Sequence, residues 1–229
     1  DWIGKRLLVT SGPTIEALDP ARLITNRSSG RMGVLLAQAA RFRGAQVDLV
    51  HGPIQIPTGW LDGLKTHAVK DSIDMQKCLA ILQPSADAVV MAAAIADFRK
   101  KGGALSQKLK KESLIKSMEE GFEIVPDLLR EITNKRFEGQ KILGFAALTG
   151  NDAEIQKLGE EKRLHKGCDL LMANPIDRNG QGFEANTNGG FLLGPQGMVQ
   201  SMPVTSKLAL AHQLLTALVA HQNDNSQKN

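Results

Sequence analysis

Short apolar runs alternate with helically spaced apolar positions along almost the whole chain. Residues 5–10 (KRLLVT) predict a first buried strand. From 30 to 43, Met32, Leu35, Leu36, Ala39 and Phe42 recur at helical spacing, with Gly44 as the stop. Residues 46–50 predict a second strand, followed by the turn-rich His51-Gly52-Pro53 and a loop to Trp60. A short third strand at 66–70 and a helix at 72–82 come next. Residues 86–94 (ADAVVMAAA) read as a central strand, apolar on both faces as a parallel sheet requires. Beyond it the pattern gives a helix at 127–135, a strand at 141–147, a charged amphipathic helix at 153–166 and a strand at 169–173. This rhythm predicts an α/β architecture: a Rossmann-like, doubly wound, mostly parallel sheet with right-handed crossovers.

The rhythm breaks near the end. Residues 182–200 hold Asn186-Thr187-Asn188-Gly189-Gly190, the apolar run Phe191-Leu192-Leu193, then Gly194-Pro195-Gln196-Gly197 and Met198-Val199. That is hairpin chemistry, and it predicts a C-terminal antiparallel hairpin arm. A helix at 204–220 closes the fold, and 221–229 is expected to be a disordered tail. With no internal repeat and no long linker, residues 1–229 are expected to form a single domain.

At 229 residues the chain is long enough for a full core, and its composition, 42% hydrophobic and 23% charged, is that of a soluble globular protein. The net charge of +4 suits an anionic small molecule. A nucleic-acid track would show a basic stripe with stacking aromatics, whereas Tyr is absent and the Phe residues are scattered. Cys78 and Cys168 are isolated and read as small buried hydrophobes. No HExxH occurs among the histidines, which argues against a protein-bound catalytic zinc. The longest apolar run, 88–96, is too short to span a bilayer. Without a secretory signal or a disulfide framework, the expected location is cytoplasmic. Because the chain begins at Asp1 rather than Met, it is expected to be a piece of a longer polypeptide.

The densest chemistry lies in Asn26-Arg27-Ser28-Ser29-Gly30-Arg31-Met32-Gly33, where a loop becomes a helix. A helix N-terminus offers unpaired N–H groups and a partial positive charge, so it attracts anions; Ser28 or Ser29 could instead cap the helix. A Rossmann dehydrogenase would show GxGxxG in the first strand–helix turn and an acidic residue ending the second strand. Here that turn begins Ser11-Gly12-Pro13-Thr14 and takes roughly twenty residues, against the usual two to six. The second strand ends in His51-Gly52, with no carboxylate for a ribose. Reductase activity is therefore disfavoured.

With Ser11-Gly12-Pro13-Thr14, Asp19-Pro20, Ile24-Thr25-Asn26, Ser28-Ser29-Gly30 and Met32-Gly33 in order, the chain closely resembles bacterial phosphopantothenoylcysteine synthetase. In that family the domain is often the C-terminal half of a bifunctional flavoprotein. Ala92-Ala93-Ala94-Ile95-Ala96-Asp97-Phe98 resembles the family's AAVADY/F segment, and Lys108-Leu109-Lys110-Lys111 its KxKK loop. Pro126-Asp127-Leu128-Leu129 resembles its PDIL element, Gly144-Phe145-Ala146-Ala147 its GFAAET segment, and Lys162 with Lys166 its KxxxK helix. Two positions depart from the pattern. Val125 stands where the family usually has Asn, and Leu148 where it usually has Glu.

The resemblance implies a ligase condensing 4′-phosphopantothenate with L-cysteine through a CTP-derived acyl-cytidylate, releasing pyrophosphate and CMP, in coenzyme A biosynthesis. It implies CTP as co-substrate and Mg²⁺, with metal ligands not assigned, and no FMN in this chain. It further implies a homodimer, and possible fusion to a phosphopantothenoylcysteine decarboxylase domain. Nucleic acid and membrane are not expected partners. By resemblance Lys108 and Asn26 are the catalytic candidates, Lys108 on the nucleotide phosphates and Asn26 on the activated acyl group. Taken alone, KLKK describes a solvated surface run and Asn26 an ordinary turn residue. The Gly102-Gly103 pair before Lys108 suggests a flexible flap. Asp97, Pro126, Asp127, Leu128, Leu129, Phe145, Lys162 and Lys166 are carried over as the CTP site, with Phe145 packing on cytosine. The backbone N–H groups of Ala93 and Ala94 are carried over as donors to the pantothenate carboxylate. An ATP-using version of the ligase and a non-catalytic nucleotide-binding domain are the alternatives.

Overall fold

The computed structural model describes residues 1–108, 110, 111, 115, 119 and 121–226. Its centre is an eight-stranded sheet built from β1 (Arg6–Ser11), β4 (Gln46–His51), β5 (Lys65–Ala68), β6 (Ala88–Met91), β9 (Lys141–Leu148), β10 (Leu170–Pro175), β11 (Thr187–Leu193) and β12 (Val199–Ser206). Their spatial order is β12-β11-β10-β9-β6-β1-β4-β5. The strands from β5 through β10 pair in parallel, whereas β11 and β12 add antiparallel to that edge. The doubly wound sheet and its C-terminal antiparallel arm thus stand as the pattern implied.

Alternation on β1 shows why the sheet is buried on both faces. Leu7 and Val9 enter one core layer with Val34 and Leu36 of helix α1 (Arg31–Phe42), and with Leu210, Leu214 and Leu218 of the closing helix α5 (Lys207–Ser226). Leu8 enters the other layer. There it joins Met75 and Leu79 of α2 (Ser72–Leu82), Leu128 and Ile132 of α3 (Leu128–Asn134), and Ile155 of α4 (Asp152–Lys166). A strand that must satisfy two apolar layers cannot alternate with polar residues, hence its continuous apolar run.

Two short antiparallel ribbons escaped the sequence reading: β2 (Ile15–Asp19) with β3 (Arg22–Thr25), and β7 (Phe98–Lys100) with β8 (Phe122–Ile124). The first fills the long connection after β1, the second follows Asp97. The central strand is also shorter than the apolar run: regular structure ends at Met91, and Ala92 to Asp97 continue irregularly along the sheet edge. Asn188-Gly189-Gly190 lies inside β11 rather than in its turn. A Cβ on Gly189 would approach the Met202 carbonyl to 2.8 Å, so the neighbouring backbone selects glycine there. The hairpin turn is Gly194 to Met198, the Gly-Pro-Gln-Gly segment that the pattern also offered. The closing helix begins at Lys207, three residues after the expected start at 204, because β12 keeps its ladder through Ser206. It runs through Ser226 where a tail from 221 was expected, and 227–229 lie outside the described residues.

Helix α1 sits directly on β1. A Cβ at Gly33 would lie 2.7 Å from the Thr10 carbonyl oxygen and 2.6 Å from the Ser11 Cβ, so glycine permits this approach. Gly33→Ala is expected to destabilise the fold by about 1–3 kcal/mol through overpacking. At this chain length that lowers the thermal midpoint by roughly 2–10 °C, measurable by circular dichroism.

Candidate functional site

The chain moves outward from β1 to β4 and β5, then returns to the other side of β1 with β6, β9 and β10. The order reverses between β1 and β6, and in open α/β sheets ligands bind at such a switch point, beyond the carboxyl ends of the strands. A cavity of about 740 Å³ opens there, within the usual range for small-molecule sites. All the sequence-nominated residues except Lys108 line it.

One wall is the segment from Asn26 to Met32. Gly30, at φ +77°, is the N-cap of α1 and has no side chain to cap the helix, while Ser28 Oγ accepts from Gly30 N (3.3 Å) and Ser29 Oγ from Arg31 N (3.4 Å) just before the usual cap pattern. The Ser29 Oγ also donates to the carbonyl of Phe183 across the cavity rim (3.1 Å). The first turn of α1 contains no acidic residue, leaving its N-terminus a favourable place for an anion.

The next wall is the irregular segment after β6. Asn26 donates through Nδ2 to the carbonyls of both Ala94 (3.0 Å) and Ile95 (3.1 Å). That fixes which atom of the amide is nitrogen, since two carbonyls can only accept. Ala93 donates its N–H to Thr10 Oγ1 (3.1 Å), and Ala94 donates its own to Gly12 O (2.9 Å). In this conformation those two amides already have acceptors and are not offered to the cavity. Asp97 is exposed at the rim, and its carbonyl accepts from Val125 N (2.9 Å).

Opposite them, Phe145 projects from β9 and is half-buried, with Ala147 beside it on the same face. Asp127 caps α3 by accepting from Arg130 N (3.1 Å), and its other oxygen forms an ion pair with Lys166 Nζ. Lys162, one turn earlier on α4, is exposed and lines the cavity. Helix α4 holds both lysines at fixed depth, because Asn151 and Glu154 form a capping box at its start and Gly167 ends it at φ +72°.

Lys108 is exposed on the connection between β7 and β8 and does not line the cavity; Leu109 beside it lies outside the described residues. Gly102 and Gly103 carry φ values of +75° and +86° with open space around them, in a turn closed by the Gly103 N–H to the Lys100 carbonyl (3.1 Å), and Leu105 N–H then donates to Leu18 O (2.9 Å). The two departures from the family pattern fall differently. Leu148 is buried in the layer with Ile155 and does not line the cavity. Val125 lines it, but its polar contact there is its backbone N–H to Asp97.

Three polar residues that the sequence reading did not nominate also line the cavity: Asn174, Asn188 and Lys207, each less than 9% exposed. Lys207 opens α5, a position that in sequence looks like any solvated helix start. Burial, aided by the nearby Arg31 charge, lowers its pKa to about 8. The cysteines play no part: burial raises the Cys168 thiol to about 11, and Cys78 also shifts upward, chiefly by burial. Among the described residues no group of three His, Cys, Asp or Glu side chains could hold a metal ion, and no helix is long and apolar enough to cross a membrane.

The family model of the DNA/pantothenate metabolism flavoprotein C-terminal domain matches residues 2–221. The coenzyme A biosynthesis bifunctional protein CoaBC of Bacillus subtilis is 35% identical over 219 residues, covering 95% of this chain and 52% of its own length. The CoaBC protein of Vibrio cholerae is 38% identical over 213 residues, covering 91% and 51% respectively. The chain therefore spans about half the length of the curated relatives it matches. The crystal structure of the C-terminal domain of a CoaBC protein superposes with a TM-score of 0.78 at 28% identity, over 97% of this chain and 99% of that one. A Cab2 mutant in complex with phosphopantothenate-cysteine shares the fold at a TM-score of 0.71 and 14% identity, over 96% and 87%.

Proposed function

The chain belongs to the family of DNA/pantothenate metabolism flavoprotein C-terminal domains, and from that premise we propose that it joins 4′-phosphopantothenate to L-cysteine by way of an acyl-cytidylate. The observation that carries this reading is one switch-point cavity with an aromatic wall, two helix-borne lysines and an uncapped helix N-terminus facing it. Such a lining suits a nucleotide beside a second anion.

A carboxylate is a poor electrophile, because its charge repels nucleophiles and oxide is a poor leaving group. In the proposed first step a carboxylate oxygen of pantothenate attacks the α-phosphorus of CTP. A P–O bond forms there as the bond to the β-phosphate breaks and pyrophosphate departs. In the second step the cysteine amine attacks the acyl carbon; the C–N bond forms, the amine sheds a proton, and CMP leaves with the C–O electron pair. Both steps require several negative groups to be held close together. Positioned cations and donors meet that need better than an acid–base pair does.

Phe145 would stack on the cytosine, and Pro126 to Leu129 would flank the base with the edge where α3 begins. Lys162 and Lys166 would face the phosphates. Asp127 holds Lys166 in place before the nucleotide arrives. Asp97 at the rim would meet the sugar or base, and the small side chains of Ala93 and Ala94 would leave room for the pantothenate arm. Lys108 would close on the triphosphate by rotation at Gly102-Gly103. Among the described residues Asp97 and Asp127 are the only carboxylates lining the cavity, and they make no metal cage. Magnesium therefore enters this reading as part of the nucleotide substrate, held by phosphate oxygens and water.

Incubation with CTP, phosphopantothenate and magnesium should release pyrophosphate, and addition of cysteine should yield phosphopantothenoylcysteine and CMP. A panel of nucleotides measures the preference over ATP, and the absence of turnover with every nucleotide removes the ligase reading in favour of a binding domain. We further propose a cytoplasmic homodimer that uses the arm of β11 and β12, where edge residues Val199 and Val204 are exposed. A monomeric mass by light scattering would exclude that contact.

A further inference from the structure

Lys207 is the most deeply buried ammonium of the cavity, with a relative exposure of 3%. Its Nζ donates to the carbonyls of Gly182 (3.0 Å) and Phe183 (3.2 Å), and its backbone N–H to that of Asn186 (3.1 Å). An ammonium has three N–H donors, so one remains without an acceptor among the described residues. No carboxylate there forms a salt bridge with it. The nearest carboxylate on that loop, Glu184, is already paired with Arg27 at the exposed rim (3.2 Å). The charged neighbour acting on Lys207 from α1 is another cation, Arg31, whose Nε is itself buried without a partner. A buried charge normally has a counter-charge; among the described residues Lys207 has none, and Arg31 beside it donates from Nη1 to the neutral Asn186 Oδ1.

A second donor stands nearby. Asn188 on β11 is 4% exposed and lines the cavity, and its register partner Thr205 lies two residues before Lys207. Its Oδ1 accepts from Gly189 N (3.0 Å), whereas its Nδ2 has no acceptor among the described residues.

We propose that Lys207 and Asn188 form an oxyanion seat of the cavity, in which the free ammonium hydrogen of Lys207 holds a phosphate group of the bound ligand. This rests on the cavity being the phosphate-ligand site described above. The other two hydrogens of Lys207 keep the Gly182–Phe183 wall in place, so one residue both shapes the wall and meets the ligand.

The test uses proton linkage. Free Lys207, with its pKa lowered to about 8, is mostly neutral at pH 8.5, and a bound anion restores its charge. Binding at pH 8.5 should therefore take up about three-quarters of a proton, and affinity should fall as pH rises through about 8. Isothermal titration calorimetry in buffers of differing ionisation enthalpy reads that uptake, with CTP, 4′-phosphopantothenate and inorganic pyrophosphate in separate arms. Lys207→Arg, charged at every pH used, should bind within a few-fold of the wild type and lack the extra proton. It also subtracts any protonation of the ligands themselves. Lys207→Met should bind about tenfold more weakly or worse in the arm whose phosphate sits on Lys207.

Uptake equal in wild type and Lys207→Arg in every arm would overturn the proposal, and that comparison does not depend on the Met variant folding. Binding of all three anions by Lys207→Met at wild-type strength would overturn it as well. Failure of the ligase reading looks different: no turnover, yet Lys207-dependent uptake with pyrophosphate.

Discussion

Lys108→Gln is expected to lower pyrophosphate release from CTP by about a hundred- to a thousandfold, the range for removing one preorganised donor from developing phosphate charge. The expectation separates two kinds of lysine. Lys162 and Lys166 stand on a helix capped at both ends, so their charge is present before substrate arrives. Lys108 stands on the connection after the Gly102-Gly103 turn and lies away from the cavity lining, so in the proposed reading its interaction is gained only when that connection closes over the nucleotide. An interaction absent from the open state and present during reaction lowers the barrier, and its loss falls on kcat more than on KM. Pre-steady-state measurement of pyrophosphate should show the first step slowed with CTP affinity changed only a few-fold. Near-normal release would return Lys108 to the solvated surface.

Asn26→Asp is expected to reduce amide formation by about a hundredfold while acyl-cytidylate formation falls much less. The amide of Asn26 is committed to two carbonyls, those of Ala94 and Ile95, and thereby fixes the turn beneath the proposed acyl group. An aspartate of the same shape presents oxygen lone pairs to both carbonyls, turning two hydrogen bonds into two repulsions. The turn must shift, and attack by the amine, which depends on alignment within a few tenths of an ångström, suffers most. Rapid-quench separation of the two half-reactions tests the division. Equal loss in both would confine Asn26 to holding the turn. A melting curve close to the wild type's shows that the variant still folds.

What could be read from the sequence, and what could not, follows from where the signal resides. The Leu7-Leu8-Val9 run had to serve two apolar layers, so its strand and the parallel sheet were visible in composition alone. Residues 15–25 escaped because a two-stranded ribbon of four or five residues per strand repeats too few times to set a period. Most of the cavity was legible through short segments ending at one sheet edge. The state of individual polar groups was not. Nothing in Ala93-Ala94 reveals that Thr10 Oγ1 and Gly12 O already accept from their amides, because those acceptors lie about eighty residues away. Lys207 was hidden for the same reason, since burial of a helix's first residue is decided by a loop elsewhere in the chain. Leu148 shows the converse: a departure from the family pattern at the site's margin is absorbed by a core layer.

The hydrogen bond from Ser29 to Phe183 joins residues 154 positions apart, and the Gly182–Phe183 turn hangs in addition from the first residue of the closing helix. A polypeptide emerging from the ribosome therefore presents only an open cleft, with one core layer of its sheet unfilled, until the final helix docks. In the proposed reading, substrate recognition is then completed last, when that helix docks. A chain halted just before Lys207 should lose both the stability that the buried Leu210, Leu214 and Leu218 supply and all but a trace of ligand binding.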